Sequence, residues 1–118
     1  MSTFFHPITL IGTGGESRTL EALVDTGSSF TTVPAPVLEG LGVTPFANVR
    51  LRLANGETTV APVGELTAEL LDLPARTIIC VFGTNGSPPL LGAHTLEAFL
   101  LGVDPDGQRL VPVEGWWA

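Results

Sequence analysis

Lysine is absent from this 118-residue chain, and its 5 basic residues, all arginine, are set against 12 acidic ones. A net charge of −7 leaves little that could replace the counterions condensed around a nucleic acid, which excludes that class of partner. An anionic membrane surface is disfavoured on the same electrostatic ground. Cysteine occurs once, as Cys80, so neither an intramolecular disulfide nor a multi-cysteine metal site is available. Placed between Ile79 and Val81, Cys80 reads as a buried structural thiol. No apolar run approaches the ~20 residues of a membrane-crossing helix. The segment Met1–Pro7 lacks the basic region and apolar stretch of a secretory signal. These absences point to the reducing cytoplasm, with no membrane association.

What is present suits one compact domain over residues 1–118. A chain of this length can bury about two-thirds of its unfolded surface, and 44% of its residues are hydrophobic. Strand signals dominate. Ile8–Ile11 and Thr19–Val24, joined through Gly12-Thr13-Gly14-Gly15, predict a β-hairpin. Those glycines lead into a strand and not a helix, so a turn is expected there and not an anion cradle. Val49, Leu51 and Leu53 alternate with Arg50 and Arg52, the period of a half-exposed strand. Asn55-Gly56 suits a type I′ turn, which would set Leu51 opposite Val60 and Leu53 opposite Thr58. Leu66, Ala68 and Leu70 alternate beyond a bend at Pro62 and Gly64. Thr77–Phe82 reads as a strand buried on both faces. Asp104-Pro105-Asp106-Gly107 predicts a turn joining Phe99–Val103 to Leu110–Val113. Short helices are expected at Ala35–Leu41 and Ala93–Ala98. The sum is an all-β, barrel-like fold of short strands.

Chemistry-bearing residues are sparse. His6 and His94 stand far apart and in no ligand-spaced cluster, and no nucleophile elbow or His-Glu-x-x-His is present. One segment stands out: Leu20-Glu21-Ala22-Leu23-Val24-Asp25-Thr26-Gly27-Ser28-Ser29. An apolar strand runs directly into a carboxylate followed by small hydroxyl and glycine residues. Asp25 is thereby set at a strand end, beside the core and among hydrogen-bond donors, the surroundings of an acid–base group. Taken alone, the tripeptide reads equally well as a turn that closes a strand.

Asp25-Thr26-Gly27-Ser28 after an apolar strand resembles the active-site motif of aspartic peptidases. Leu90-Leu91-Gly92, followed by Leu96 and Phe99, resembles the hydrophobic-hydrophobic-glycine motif of the same family. Val49–Leu70 around Asn55-Gly56 looks like its flap hairpin. Order, spacing and length are similar to the retropepsin-like group of single-domain aspartic peptidases over about residues 8 to 113. The chain departs from the retroviral members in lacking a glycine-rich flap tip, and in a segment Leu110–Ala118 that ends in Trp116-Trp117.

The resemblance implies a closed barrel with a flap hairpin and one or two short helices. It also implies catalysis by a water held between paired carboxylates, with no cofactor and no metal. Because the chain offers one Asp-Thr-Gly, the second carboxylate would come from a second copy in a homodimer. Asp25, Thr26 and Gly27 would form the catalytic loop, with Thr26 holding the two loops together. Ser28 would donate to the Asp25 carboxylate and draw activity toward acidic pH. Ser28, Ser29, Asn55, Gly56, Pro88 and Leu90 would contact a peptide or protein substrate bound as an added strand. The loop Ser87-Pro88-Pro89-Leu90 predicts a preference for apolar side chains. The alternative is a dimer of the same fold that binds peptides or partners without cutting them. A phosphate-loop reading of Asp25-Thr26-Gly27-Ser28-Ser29 needs two α/β domains, which 118 residues cannot hold.

Overall fold

A computed structural model describes residues 4–115; the Trp116-Trp117 pair lies outside them. The first eight-residue strands, β1 (Phe4–Ile11) and β2 (Ser17–Val24), form an antiparallel hairpin from Phe4↔Val24 to Ile11↔Ser17. Its turn is closed by Gly12 N–H donating to Glu16 O at 2.7 Å and Gly15 N–H donating to Gly12 O at 3.0 Å. Gly15 takes φ +90°, where a side chain would be strained. These amides are spent within the turn and cradle no anion.

After β2 come β3 (Thr31–Pro34) and the helix α1 (Ala35–Gly40), with a proline in its first turn where a missing N–H costs nothing. Strand β4 (Ala47–Arg52) pairs with the first half of the twelve-residue β5 (Thr58–Glu69). From Val63 onward β5 pairs with β6 (Arg76–Gly83), so one strand passes through Pro62 and Gly64 and changes partner there. Next follow β7 (Leu90–Leu91), the helix α2 (Ala93–Ala98), and a separate hairpin of β8 (Leu101–Asp104) and β9 (Arg109–Pro112).

The main sheet runs β1-β2-β7-β3-β6-β5-β4, and β1 also pairs with β5 through Thr9↔Glu69, Leu10↔Ala68 and Ile11↔Thr67. That last pairing closes a ring and leaves β4 outside it. Closure removes the free edges of the ring strands. Inside lie Ile8, Leu10, Ala22, Val24, Val33, Leu66, Ala68, Ile78, Cys80 and Leu91, with Leu96 and Phe99 from α2 and its end. The fold is therefore the all-β barrel expected, with two short helices.

Two local expectations are corrected. In the β4–β5 hairpin, Leu51 faces Thr59 and Arg52 faces Thr58. The connection is a three-residue loop, not a two-residue type I′ turn: Gly56 N–H donates to Leu53 O at 2.9 Å and Leu53 N–H to Glu57 O at 2.7 Å. Gly56 sits after the turn with φ +88°, the bulge position of such loops. In addition, β6 is not buried on both faces. Ile78, Cys80 and Val81 are buried while Thr77 is exposed and Ile79 keeps 38% of its surface, because the barrel covers one face of this strand and leaves Ile79 at its surface.

Candidate active site

Strand β2 carries Ala22 and Val24 into the core and ends at Asp25, which is half-buried. The backbone there is pinned from the far end of the chain. Leu23 N–H donates to Pro89 O at 2.9 Å and Asp25 N–H to Leu91 O at 3.1 Å, extending the parallel pairing of β2 with β7. The carboxylate turns back on its own loop: Gly27 N–H donates to Asp25 Oδ1 at 3.0 Å, and Ser28 N–H donates to Asp25 O at 3.1 Å. Asp25-Thr26-Gly27 is thus a side-chain-capped turn, and one Asp25 oxygen is held in place by a backbone amide.

The next residues are fastened to α2. Ala93 N–H donates to Ser28 O at 2.8 Å and His94 N–H to Ser29 O at 2.9 Å, so two amides at the start of the helix are satisfied by the loop. Gly92 N–H donates to Thr31 Oγ1 at 3.1 Å, and Thr31 Oγ1 lies 2.6 Å from Thr95 Oγ1. Both threonines are buried. A Cβ on Gly92 would come within 2.4 Å of Phe30 O and 2.9 Å of Ser28 O. Glycine is required here by close approach and not by conformation, since its φ is −95°. Leu96 and Phe99 pack behind this junction in the core.

The loop opens on a cleft of about 530 Å³. Asp25, Gly27, Ser28, Ser29 and Leu90 line it, together with Arg50, Leu51 and Arg52 of β4 and with Leu53 and Ala54. Phe30, Thr32 and Val81 complete it. Asp25 is the one carboxylate among the described residues lining the cleft. Burial pushes the Cys80 thiol up to about 12, so it is no nucleophile near neutral pH. Among the described residues no group of three acidic, histidine or cysteine side chains could hold a metal ion.

The aspartyl protease family model matches residues 9–104. The chain belongs to the aspartyl protease family, and it is an aspartic peptidase. A crystal structure of a retropepsin-like aspartic protease from Rickettsia conorii is similar with a TM-score of 0.54, at 22% identity and with 89% of each chain covered. That likeness concerns the fold. None of the curated proteins matches the chain. No helix among the described residues of the peptidase is long and apolar enough to cross a membrane.

The peptidase brings together Asp25, Gly27, Ser28, Ser29 and Leu90 of the residues expected from the sequence. Thr26 lies exposed beside Asp25. Asn55, Gly56 and Pro88 do not line the cleft. Asn55 Oδ1 instead accepts the Glu57 N–H at 2.9 Å, so Asn55 and Gly56 shape the hairpin tip. Ser28 also differs from expectation: its hydroxyl donates to Phe30 O at 3.2 Å, and Asp25 takes its hydrogen bond from an amide. The histidines stay apart from the cleft. His6 Nδ1 lies 2.8 Å from Pro7 O, and His94 rests against Phe30 with ring centroids 5.1 Å apart. The residues that sequence reasoning missed are Phe30, Thr32, Leu51, Leu53, Ala54, Val81 and, above all, Arg50 and Arg52. The available signal was the placement of two of the five cations in one strand of an acidic chain.

Proposed function

We propose that the protein is a homodimeric aspartic endopeptidase, in which Asp25 from each of two chains activates one water for attack on a peptide bond. The observation that carries this reading is that, among the described residues, Asp25 is the one carboxylate lining the cleft. A single carboxylate cannot both take a proton from water and give one to the carbonyl oxygen in the same step. Two held around one water cannot both ionise easily, so they share a proton. The ionised partner accepts the proton of the attacking water while the protonated partner donates to the carbonyl oxygen. The proton then passes to the leaving amine. Thr26 and Gly27 complete the loop, the first joining it to its twin and the second holding the carboxylate through its amide. The β4–β5 hairpin acts as the flap over an extended substrate, which adds main-chain hydrogen bonds as a strand would. Ser28, Ser29 and Leu90 form the near wall. A cytoplasmic location belongs to the same reading and rests on Cys80 being single and buried.

The test compares wild type with Asp25→Asn on a mixed peptide library at acidic and neutral pH, alongside sedimentation across micromolar concentrations. Cleavage by wild type alone, rising as dimers form, is expected. Equal cleavage by both proteins, no cleavage by wild type, or full activity from a monomer would each overturn the proposal. A folded dimer that binds peptides without cutting them would favour the non-cleaving module.

A further inference from the structure

Arg50 and Arg52 are an unused pair of charges at the mouth of the site. They alternate with Val49, Leu51 and Leu53, so strand periodicity sets the two guanidinium-bearing residues on one face, about 7 Å apart along β4. Both line the same cleft as Asp25, and both are exposed. Their cross-strand neighbours are Val60 and Thr58, neither of them acidic. Among the described residues the ion pairs are His94–Glu97 and Arg109–Asp104, so 12 acidic side chains leave the two arginines unpaired. Arg52 spends one N–H on Gly56 O at 3.2 Å, which steadies the side chain against its own hairpin and leaves its remaining donors open. Glu57, the acid of the hairpin tip, does not line the cleft. The result is a local cationic strip bordering the cleft on a protein of net charge −7.

We infer that Arg50 and Arg52 make the peptidase select substrates carrying Asp or Glu at one or both of two alternate positions beneath β4. This deepens the proposed endopeptidase and rests on that reading. An extended peptide has the same two-residue period as β4, so its side chains at i and i+2 match the spacing of the two guanidiniums. Guanidinium and carboxylate pair through parallel N–H···O bonds, charge-assisted and directional. Discrimination works in both directions. A carboxylate compensates the arginines for the water they lose on binding, an apolar side chain leaves them desolvated without a partner, and a lysine repels them. Leu51, Leu53, Leu90 and Val81 supply the apolar remainder of the cleft, so the expected substrate is apolar near the scissile bond and acidic beside it.

The test uses matched peptides differing only as Glu, Gln or Lys at each position in turn. Their binding to the full-length Asp25→Asn chain is measured by fluorescence anisotropy, and their cleavage is measured with wild type. Glu should exceed Gln by about tenfold in affinity at low salt at the responsive position. Lys should fall below Gln, and the Glu advantage should shrink as salt rises. Adding Arg50→Gln and Arg52→Gln should bring the Glu/Gln ratio toward one, and Arg50→Glu with Arg52→Glu should reverse the order of Glu and Lys. Equal binding of the Glu and Gln peptides, a Glu preference that survives loss of both arginines, or no peptide binding at all would overturn the inference. Arginine-dependent Glu selectivity without cleavage by wild type would instead sink the endopeptidase reading and leave the cleft's selectivity standing.

Discussion

The hydroxyls of Thr31 and Thr95 meet at 2.6 Å in the interior, across 64 residues of sequence. Thr31 also accepts the Gly92 N–H, so its oxygen joins the strand after the Asp25 loop to the start of α2. Replacing Thr31 by Val removes the acceptor for a buried amide and the partner of a buried hydroxyl. A loss of about 3 kcal/mol is expected. Thr95→Val leaves the Gly92 amide satisfied and should cost about 1 kcal/mol. Urea unfolding of the two variants side by side checks the order, and peptidase activity should fall further for Thr31→Val.

Gly92→Ala is expected to be severe for a different reason. The added methyl would press on Phe30 O and Ser28 O, which are backbone atoms of the loop and cannot swing aside. A loss of about 3 kcal/mol, with collapse of activity, is expected. Gly56→Ala is the contrast. Nothing lies within 4 Å of its Cβ position and only the φ of +88° resists, so about 1 kcal/mol is expected. Thermal denaturation of the two variants separates contact from conformation.

Asp104 supplies a pH dependence. The Gly107 amide first, and the Arg109 side chain at 3.2 Å next, hold its carboxyl below the ordinary value. A carboxyl depressed on folding adds stability above its unfolded-state value and loses it as pH falls through the folded one. Asp104→Asn should therefore lower the denaturation midpoint at neutral pH. The gap from wild type should close as pH drops below the usual carboxylate range. A gap that is constant with pH would refute this.

Cys80 should resist thiol reagents in the folded protein. Burial raises its thiol from 9.0 to about 12, keeping it protonated and out of reach. The linked stability is complete below the unfolded value and is lost as pH rises from there toward the folded one. Alkylation at pH 8 should be negligible in buffer and rapid in urea. Labelling of the native chain at the denatured rate would contradict the burial.

Much of this was legible in the sequence where local chemistry and tertiary structure agree. The glycine cluster at 12–15 and the strand ending at Asp25 are examples, and α2 falls on Ala93–Ala98 as expected. Reading failed where the answer depends on a distant partner. Strands β3 and β7 are too short and too rich in hydroxyl or turn residues to announce themselves; they form because parallel pairing with β6 and β2 satisfies them. Asn55-Gly56 marked a turn but not its length, because the same dipeptide serves two- and three-residue loops. Arg50 and Arg52 looked like the solvent side of a strand. Only the tertiary placement of β4 beside the Asp25 cleft reveals that Arg50 and Arg52 are among its lining residues.

The pinning of the Asp25 loop by residues 89–95 also fixes an order of events during synthesis. Asp25 leaves the ribosome before the carbonyls of Pro89 and Leu91 that hold its backbone, and before the amides of Ala93 and His94 that hold Ser28 and Ser29. Contacts of such sequence separation form slowly and only once both ends exist. A growing chain thus carries its carboxylate without the support that would aim it. The loop around Asp25 therefore takes its final shape only after α2 has been made.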